Sequence, residues 1–243
     1  MKPRRIRATD GEERSRTERK LLVCQQPATT EYDRLCGRAK ARRDNALAAW
    51  AALAISAATS PYVILPGFAF ALTWRYSPDW YHFFAWSGIT VFFSTGIPFL
   101  YIMLGTRAGW ITDIHVMRRE QRRGPFILSL TSSAAGTALL HLTNAPLPLI
   151  ALGVAIIANG IVLAAITHRW KISMHLAVYT AGVLAASVLL TARSLWLLAF
   201  LPAVIWARAK RTRHSVSQGV AAVIVAAMVT LGVLLLFGYL PIG

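Results

Sequence analysis

The stretch "WARAKRTRHSVSQG" (206–219), which joins two apolar segments, contains the residues best suited to chemistry. It places Arg208 and His214 among further cations, with five residues between them. Phosphate transfer needs fixed donors around the phosphate oxygens and a group that exchanges a proton near neutral pH. A guanidinium fork meets the first need and an imidazole the second. The stretch therefore predicts part of a phosphate site.

Two other connections between apolar segments carry residues of the same kinds. "GTRAGWITDIHVMRREQRRGPF" (105–126) contains Asp113, Arg118, Arg119, Glu120, Arg122 and Arg123. "THRWKIS" (167–173) contains Lys171 and Ser173 and is followed by His175. Ionisable residues near membrane depth are costly to place, so they are functional candidates. One such residue is weak evidence, but three connections on one face predict a shared site.

The composition indicates which elements must position these residues. Apolar residues make up 56% of the 243-residue chain, charged residues make up 15%, and the mean hydropathy is +0.49. Long apolar runs with this balance predict an all-α, polytopic membrane helix bundle. The net charge of +16 would suit a nucleic-acid-binding protein. Beyond the N-terminal tail, however, the cations lie in short connections, so we expect no nucleic-acid partner.

The chain is predicted to have two parts. Residues 1–45 mix charges of both signs with few large apolar side chains, which predicts a basic cytoplasmic tail that is disordered or forms a loose helix on the surface. Residues 46–243 predict the transmembrane bundle. No apolar stretch follows the first residues, so we expect no cleaved secretory signal. Cys24 and Cys36 are too far apart for a CxxC pair, and we interpret both as reduced thiols.

Seven apolar segments define the predicted spans. They are 46–74, 83–104, 125–142, 148–167, 175–192, 194–207 and 216–239. The first would be roughly 43 Å long as a straight helix, against about 30 Å of hydrocarbon, and Pro61 and Pro66 interrupt it. We therefore predict one kinked span there. The segment 194–207 would be only about 21 Å long, so we predict an unusually short membrane span there. The total is then about six or seven spans.

The distribution of charge predicts the orientation. With seven spans, the tail and the three connections described above lie on one side of the membrane, and the other side carries only Arg75 and Arg193. By the positive-inside rule the basic side is cytoplasmic, and the C-terminus lies outside. We expect an integral protein of a prokaryotic plasma membrane whose basic face contacts anionic lipid headgroups.

At these residues the chain resembles the membrane-bound type 2 phosphatidic acid phosphatase superfamily, whose members share a helical core with the vanadium haloperoxidases. The family's third motif is Ser-Arg, five residues, His, three residues and Asp, and "ARAKRTRHSVSQ" keeps Arg208 and His214 at this spacing. The second motif, Pro-Ser-Gly-His, is matched by Ser173 and His175 in "KISMH". The first motif ends in Arg-Pro, where this chain has Gly-Pro (124–125). The resemblance covers residues 83 to 239, and no motif is intact.

The resemblance implies a role for each matching residue. His214 would be the nucleophile that forms a phospho-histidine, and His175 would be the general acid. Arg208 would bind phosphate oxygens, helped by Lys171, by the Ser173 hydroxyl and by a first-motif cation. That cation would be one or two of Arg118, Arg119, Arg122 and Arg123. The family implies a phosphoric monoester or diphosphate hydrolase that acts on lipid phosphates without a metal cofactor.

Gln218 is the main departure from the motif, because it stands where the family has Asp. An Asp would orient the His214 ring and stabilise its positive charge, whereas a Gln can only orient it. "RHSVSQGV" also resembles the dolichyl diphosphate phosphatase branch, in which Gln occupies this position. That similarity favours a polyprenyl phosphate or diphosphate as substrate over phosphatidic acid.

Two alternative functions remain open. Asp113 and Glu120 are seven residues apart, about two helical turns, and on one face could hold Mg²⁺ against a diphosphate, as in membrane prenyltransferases. Those enzymes have paired acidic motifs, and this chain has no second acidic cluster. The other alternative is non-catalytic: a degenerate relative that binds or transports lipid phosphates, or a structural subunit whose basic tail holds anionic lipid.

Overall fold

The computed structural model describes residues 30–112, 121, 123–211 and 215–239. All of the regular elements in these residues are helical. They are α1 (Thr30–Ala58), α2 (Pro61–Tyr76), α3 (Trp80–Val91), a π-helical turn (Phe92–Gly96), α4 (Ile97–Arg107), α5 (Arg123–Leu142), α6 (Leu147–Arg169), α7 (Met174–Leu189), a 3-10 helix (Ala192–Phe200), α8 (Leu201–Lys210) and α9 (Val216–Leu236). The predicted all-α fold is confirmed.

Part of the predicted tail is helical: α1 begins at Thr30 and includes residues 30–45. Residues 1–29 lie outside the described part of the chain. The unit Ala51–Gly243 is compact, and the site described below lies within it.

The helices have the length and apolar character of membrane spans. Five pass this test on their own: Trp80–Arg107, Arg123–Leu142, Leu147–Arg169, Ala192–Lys210 and Val216–Leu236. The bent pair Arg43–Ala58 and Pro61–Tyr76 counts as a sixth, and Met174–Leu189 is a shorter apolar helix. The chain is an integral membrane helix bundle.

The first span is broken where the sequence places its first proline. α1 and α2 are bent by 45° at a break just before Pro61. Proline lacks an N–H and fixes its own φ, so it suits the first turn of α2 but would disrupt a continuing α1. Pro66 lies inside α2 without ending it. The prediction of one kinked span agrees with this arrangement.

The span Trp80–Arg107 contains a local widening that faces the interior. In the π-helical turn the N–H of Ile97 donates to Phe92 O, five residues back. Pro98 follows at once, and its missing N–H and bulky ring conflict with a regular α-helix at this point. Ser94 and Thr95 in the turn are buried. The widening therefore presents hydroxyl groups to the bundle interior.

The span that was predicted to be short (194–207) has a different helical geometry from the one expected. Ala192–Phe200 is a 3-10 helix of 9 residues, and α8 continues it for 10 residues. A 3-10 helix rises about 2.0 Å per residue and an α-helix about 1.5 Å, so the two together extend roughly 33 Å. The expected length of about 21 Å was wrong, because it assumed α geometry throughout and a shorter segment.

The helices run up and down, so their connections collect at two ends. The basic end holds the connections α4–α5, α6–α7 and α8–α9, and the opposite end holds α2–α3, α5–α6 and the link from α7 to the 3-10 helix. One core cluster fills the opposite end and includes Leu72, Trp86, Leu140, Leu149, Leu152, Ala185, Leu189 and Leu234. A second fills the basic end and includes Leu163, Ile172, Leu176, Ala177, Val204, Ala222 and Ala226.

Exposed tryptophans mark both ends of the bundle. Trp74, Trp80 and Trp196 are 62% to 80% exposed at the opposite end. Trp110, Trp170 and Trp206 are 43% to 48% exposed at the basic end. Indole rings favour the boundary between hydrocarbon and headgroups, so two such belts fit a bundle that crosses the bilayer.

Candidate functional site

A cavity of about 550 Å³ opens among the helices of the bundle. Its walls come from the break between α1 and α2, from the π-helical turn and α4, and from α5 to α9. Most of the lining side chains are apolar, among them Leu65, Phe68, Leu152, Ile156, Leu163 and Val178. Cavities of this size and character are typical of sites for small molecules or lipid chains.

Four basic side chains line this cavity at its basic end: Lys171, His175, Arg208 and Arg211. Lys171 lies in the non-helical link after α6, and His175 lies in the first turn of α7. Arg208 and Arg211 come from the end of α8, one turn apart. Three chain segments therefore bring positive or protonatable groups to the same space.

Arg208 is the most deeply placed of these groups, with only 5% of its surface exposed. A guanidinium stays charged at any accessible pH and carries its donors in a planar fork. Taking such a charge out of water is favourable only where anions or polar groups surround it. A buried guanidinium that lines a cavity is suited to hold an anionic headgroup.

The start of α7 adds a second electropositive feature beside His175. Ser173 occupies the N-cap position, but its side chain makes no capping hydrogen bond. The first N–H groups of a helix lack partners within the helix and carry partial positive charge. Together with the adjacent cations, this helix terminus favours binding of an anion such as phosphate.

Polar atoms also interrupt the apolar walls. The Ser56 hydroxyl, the Thr167 hydroxyl and Asn159 Oδ1 are buried and lack a hydrogen-bond partner among the described residues. All three residues line the cavity. Asn159 Nδ2 donates to Ala155 O and to Thr230 Oγ1, both at 2.9 Å, which ties α6 to α9. The cavity thus offers hydroxyl groups near its basic end and an amide oxygen deeper inside.

The structure brings together three of the predicted site residues. Lys171, His175 and Arg208 all line the cavity. Ser173 was predicted to contribute a donor there, but it is fully buried and is not part of the cavity lining. As the N-cap, it lies where the chain turns into α7, and its side chain packs into the protein. Arg123 is exposed at the start of α5 and does not line the cavity.

Several predicted residues lie outside the described part of the chain. They are Asp113, Arg118, Arg119, Glu120, Arg122 and His214. Within the described residues no group of three or more His, Cys, Asp and Glu side chains is placed to hold a metal ion. The Mg²⁺ alternative depended on Asp113 and Glu120, so it stays a prediction.

Gln218 has a local structural partner that motif comparison did not indicate. Its Oε1 accepts the N–H of Ser215 at 3.1 Å, and its own N–H donates to Ser215 Oγ at 3.2 Å. This reciprocal pair is a capping box at the start of α9. The sequence "SVSQ" has the required Ser-x-x-Gln spacing, so the box was detectable from the sequence. Gln218 therefore stabilises the helix that follows His214.

Motif comparison also missed Arg211, Ser56 and Thr167. Arg211 was detectable, because it lies three residues after Arg208 and so one turn along the same helix. Ser56 belongs to the first span, which the family resemblance does not cover. Only the fold brings its hydroxyl to the cavity.

The opposite end carries a polar side-chain pair of a different kind. Asp79 caps α3, accepting the N–H of His82 at 2.9 Å, and its carboxylate lies 2.8 Å from His82 Nδ1. Mainly because of the bond from the His82 N–H, the pKa of Asp79 lies below its usual value. Both partners are surface residues three positions apart, so the pair serves the helix terminus.

Comparison with known proteins gives no match: no protein-family model, no curated protein and no solved structure matches this chain. The function is therefore inferred from the cavity and from the basic side chains at its end.

Proposed function

We propose that the protein is an integral membrane phosphatase that removes phosphate from a lipid phosphate. The preferred substrate class is a polyprenyl phosphate or diphosphate, with phosphatidic acid as a less favoured member. The observation that carries the proposal is the convergence of Lys171, His175 and Arg208, from separate segments, on one largely apolar cavity. Cations suit the phosphate and apolar walls suit the lipid chain.

The proposed chemistry divides the reaction into two steps. A ring nitrogen of His214 attacks the terminal phosphorus, and its bond to the leaving oxygen breaks while His175 gives its proton to that oxygen. The leaving oxygen is the lipid oxygen of a monophosphate or the bridging oxygen of a diphosphate, which departs on the lipid monophosphate. Water then attacks the phospho-histidine, releasing phosphate and restoring His214. Arg208, Lys171 and Arg211 hold the phosphate oxygens and stabilise the charge that develops on them. No metal ion takes part in this scheme.

The test is phosphate release from purified protein in lipid nanodiscs. Prenyl monophosphate, prenyl diphosphate and phosphatidic acid are supplied separately, with and without a chelator. We expect release that the chelator leaves unchanged, and that His214→Ala abolishes because the nucleophile is gone. His168→Ala is the matched control, because His168 is an exposed residue of the basic end outside the cavity lining. Release that persists in His214→Ala would overturn the mechanism.

A second candidate is a protein that binds or transports lipid phosphates without hydrolysing them. It is favoured by one observation: Gln218, which stands where the family has its Asp, is engaged in a capping box. In this case the same lipids bind to the protein but release no phosphate. A requirement for Mg²⁺ together with Asp113 and Glu120 would instead favour the prenyltransferase-like alternative.

We also propose that the basic end faces the cytoplasm of a prokaryotic cell. The described cations of this end include Arg107, Arg123, Arg169, Lys171, Arg208, Lys210 and Arg211, whereas those of the opposite end are Arg75 and Arg193. This asymmetry follows the positive-inside rule. The test uses single cysteines at His168 and Ser194 in a chain lacking Cys24 and Cys36. A membrane-impermeant thiol reagent on intact cells should label only the Ser194 site; labelling of only the His168 site would reverse the orientation.

A further inference from the structure

The cavity is open on one side, and the last two turns of α1 form part of its rim. Among the described residues that line the cavity, only Leu53 and Ala57 are exposed. They lie four residues apart, about one helical turn, so they share one face of α1. By contrast, Ala177 and Gly182 of α7 and Thr230 of α9 line the cavity from buried positions. The cavity therefore opens beside the exposed face of α1.

A different face of α1 holds this helix against the bundle. Ile55 packs on the core cluster of the basic end, which includes Leu176 of α7 and Val204 of α8. Ile55 is two residues from both Leu53 and Ala57, which corresponds to about 200° around the helix. It therefore lies on nearly the opposite face. α1 leans on α7 and α8, and its cavity-lining face points away from that contact.

The other side of the opening comes from α4 and the first turn of α5. Phe99 and Ile102 of α4 and Phe126 of α5 line the cavity. Within the described part of the chain, no side-chain hydrogen bond or ring contact joins residues 51–58 to either helix. The rings of Tyr62 in α2 and Phe99 meet edge to face, with centroids 5.0 Å apart. The opening between residues 51–58 and these two helices, called the portal below, thus ends at this ring pair.

The portal lies in the basic half of the membrane. Arg107 ends α4 and Arg123 begins α5 at the basic end. Ile102 and Phe99 lie about 8 Å and 12 Å along α4 from Arg107, and Phe126 lies about 4.5 Å along α5 from Arg123. Half of the hydrocarbon core is about 15 Å thick. These apolar side chains are therefore at the depth of the lipid chains of one leaflet, so the portal faces hydrocarbon.

Resting on the function proposed above, we propose that the portal binds the chain of the lipid phosphate. The headgroup moves sideways from the leaflet to Lys171, His175 and Arg208, where cations attract it. The chain lies between α1 and α4 and continues into the bilayer, so it never leaves an apolar environment. Because the chain is not enclosed, the portal sets no upper limit on its length, and long polyprenyl chains are accepted.

The first test measures binding separately from hydrolysis. It uses alkylphosphonates, whose carbon–phosphorus bond resists hydrolysis, and protein in nanodiscs of zwitterionic lipid. Radiolabelled hexadecylphosphonate is embedded in the bilayer, whereas butylphosphonate dissolves in water and approaches the partly exposed Lys171 and Arg211 from the aqueous side. Ala57→Trp fills the portal and should slow association of hexadecylphosphonate about tenfold or more, because the indole ring must be displaced. Association of butylphosphonate should not change.

The matched control is Ala51→Trp, because Ala51 is an exposed residue of α1 outside the cavity lining. It should bind both probes as the wild type does. Leu53→Ala widens the portal and should speed association of hexadecylphosphonate, so the test stands even where Ala57→Trp does not fold. Unchanged rates in both portal variants would overturn the proposal. Equal slowing of both probes by Ala57→Trp would also overturn it, since the water-soluble probe does not need the portal.

A second experiment locates the bound chain. Hexadecylphosphonate that carries a photoreactive diazirine midway along its chain is irradiated in the nanodiscs, and labelled residues are identified by mass spectrometry. We expect labels at Leu53 and Phe99, on the two sides of the portal. Labels at Leu152 and Ala185, which line the cavity beside the core of the opposite end, would place the chain inside the bundle and overturn the proposal.

Chain length gives an independent check. Polyprenylphosphonates should displace radiolabelled hexadecylphosphonate as effectively as unlabelled hexadecylphosphonate does, because the additional chain remains in the bilayer. Exclusion of the longer chains would mean that the protein encloses the chain, which contradicts the proposal.

These experiments separate the inference from the proposed function. If the portal variants alter phosphonate association as expected while no lipid phosphate is hydrolysed, the portal stands and the phosphatase proposal fails. If membrane-embedded lipid phosphates are hydrolysed at the same rate by Ala57→Trp, Leu53→Ala and the wild type, with unchanged phosphonate association, the phosphatase stands and the portal fails.

Discussion

The two ends of the bundle use polar residues in different ways. At the opposite end the polar contacts satisfy the fold itself: Asp79 caps its own helix, and the Tyr76 hydroxyl donates to Leu189 O at 2.6 Å. At the basic end Lys171, His175 and Arg208 come from separate segments and line a cavity. The difference is consistent with the proposal that the basic end binds a ligand, whereas the polar contacts of the opposite end serve the fold.

This comparison predicts a separation of effects. Changes at the basic cavity should weaken ligand binding more than folding, and changes at the opposite end should weaken folding more than binding. Four measurements test this separation, and the effects that we expect become smaller from one to the next.

The largest effect is expected at Arg208. Arg208→Ala should weaken binding of hexadecylphosphonate by about 30-fold or more, because removing one partner of a desolvated charge pair typically costs 2–5 kcal/mol. Arg208→Lys should recover only part of the loss, since an ammonium cannot reproduce the bidentate fork. Arg193→Ala, an exposed cation of the opposite end, is the control. Similar losses in the Arg208 and Arg193 variants would remove the distinction between the ends.

The next effect concerns the capping box at the start of α9. Gln218→Ala should lower the free energy of unfolding by about 1 kcal/mol, whereas Gln218→Glu keeps the Ser-x-x-Glu form and should retain it. Thermal unfolding in detergent measures both variants. Gln218→Asp, which restores the family's residue, should keep or raise phosphate release. If Gln218→Ala is as stable as the wild type, the capping box contributes nothing.

A comparable loss is expected from one hydroxyl at the opposite end. Tyr76→Phe removes the bond to Leu189 O and should lower the free energy of unfolding by about 1 kcal/mol. Phosphonate affinity should not change. Tyr81→Phe is the matched control, because Tyr81 is 77% exposed and also lies at the opposite end. Loss of affinity in Tyr76→Phe would mean that the two ends are coupled.

The smallest effect is the pH dependence of the Asp79–His82 pair. The pKa of Asp79 is lowered in the folded protein, mainly by the His82 N–H, relative to the ordinary value of 3.8. The ionised carboxylate therefore stabilises the fold above that value, and the stabilisation is lost as pH falls through the lowered pKa. Asp79→Asn keeps a capping oxygen without the charge. Its unfolding temperature should approach that of the wild type on acidification, and a constant difference would contradict this account.

The sequence predicted most of the fold because hydropathy and proline positions have direct structural consequences. The apolar segments correspond to the helices, and the first span breaks just before Pro61. The 3-10 helix Ala192–Phe200 was not predictable in the same way. Hydropathy records how apolar a segment is but carries no information on its rise per residue. The length of that span was therefore underestimated.

The site was predictable only in part, because residue spacing locates a residue along the chain and not the wall it faces. Arg208, His175 and Lys171 line the cavity, whereas the adjacent Ser173 does not. Ser56 lies far away in the sequence and reaches the cavity only through packing of the first span. The Gln218 cap shows a further difficulty: one residue can match a catalytic motif and a helix-terminus motif at once.

The 3-10 helix makes its span longer than the same residues would be as an α-helix. Its side chains are largely exposed, with Trp196 at 80% and Phe200 at 60%, and the Tyr179 hydroxyl of α7 donates to Leu197 O at 2.7 Å. Converting all nine residues to α geometry would shorten the span by about 4.5 Å. A thinner bilayer would favour that conversion and a thicker one would oppose it. Because the 3-10 helix continues directly into α8, which contains Arg208, a change in membrane thickness would then change how deep the Arg208 guanidinium lies in the membrane.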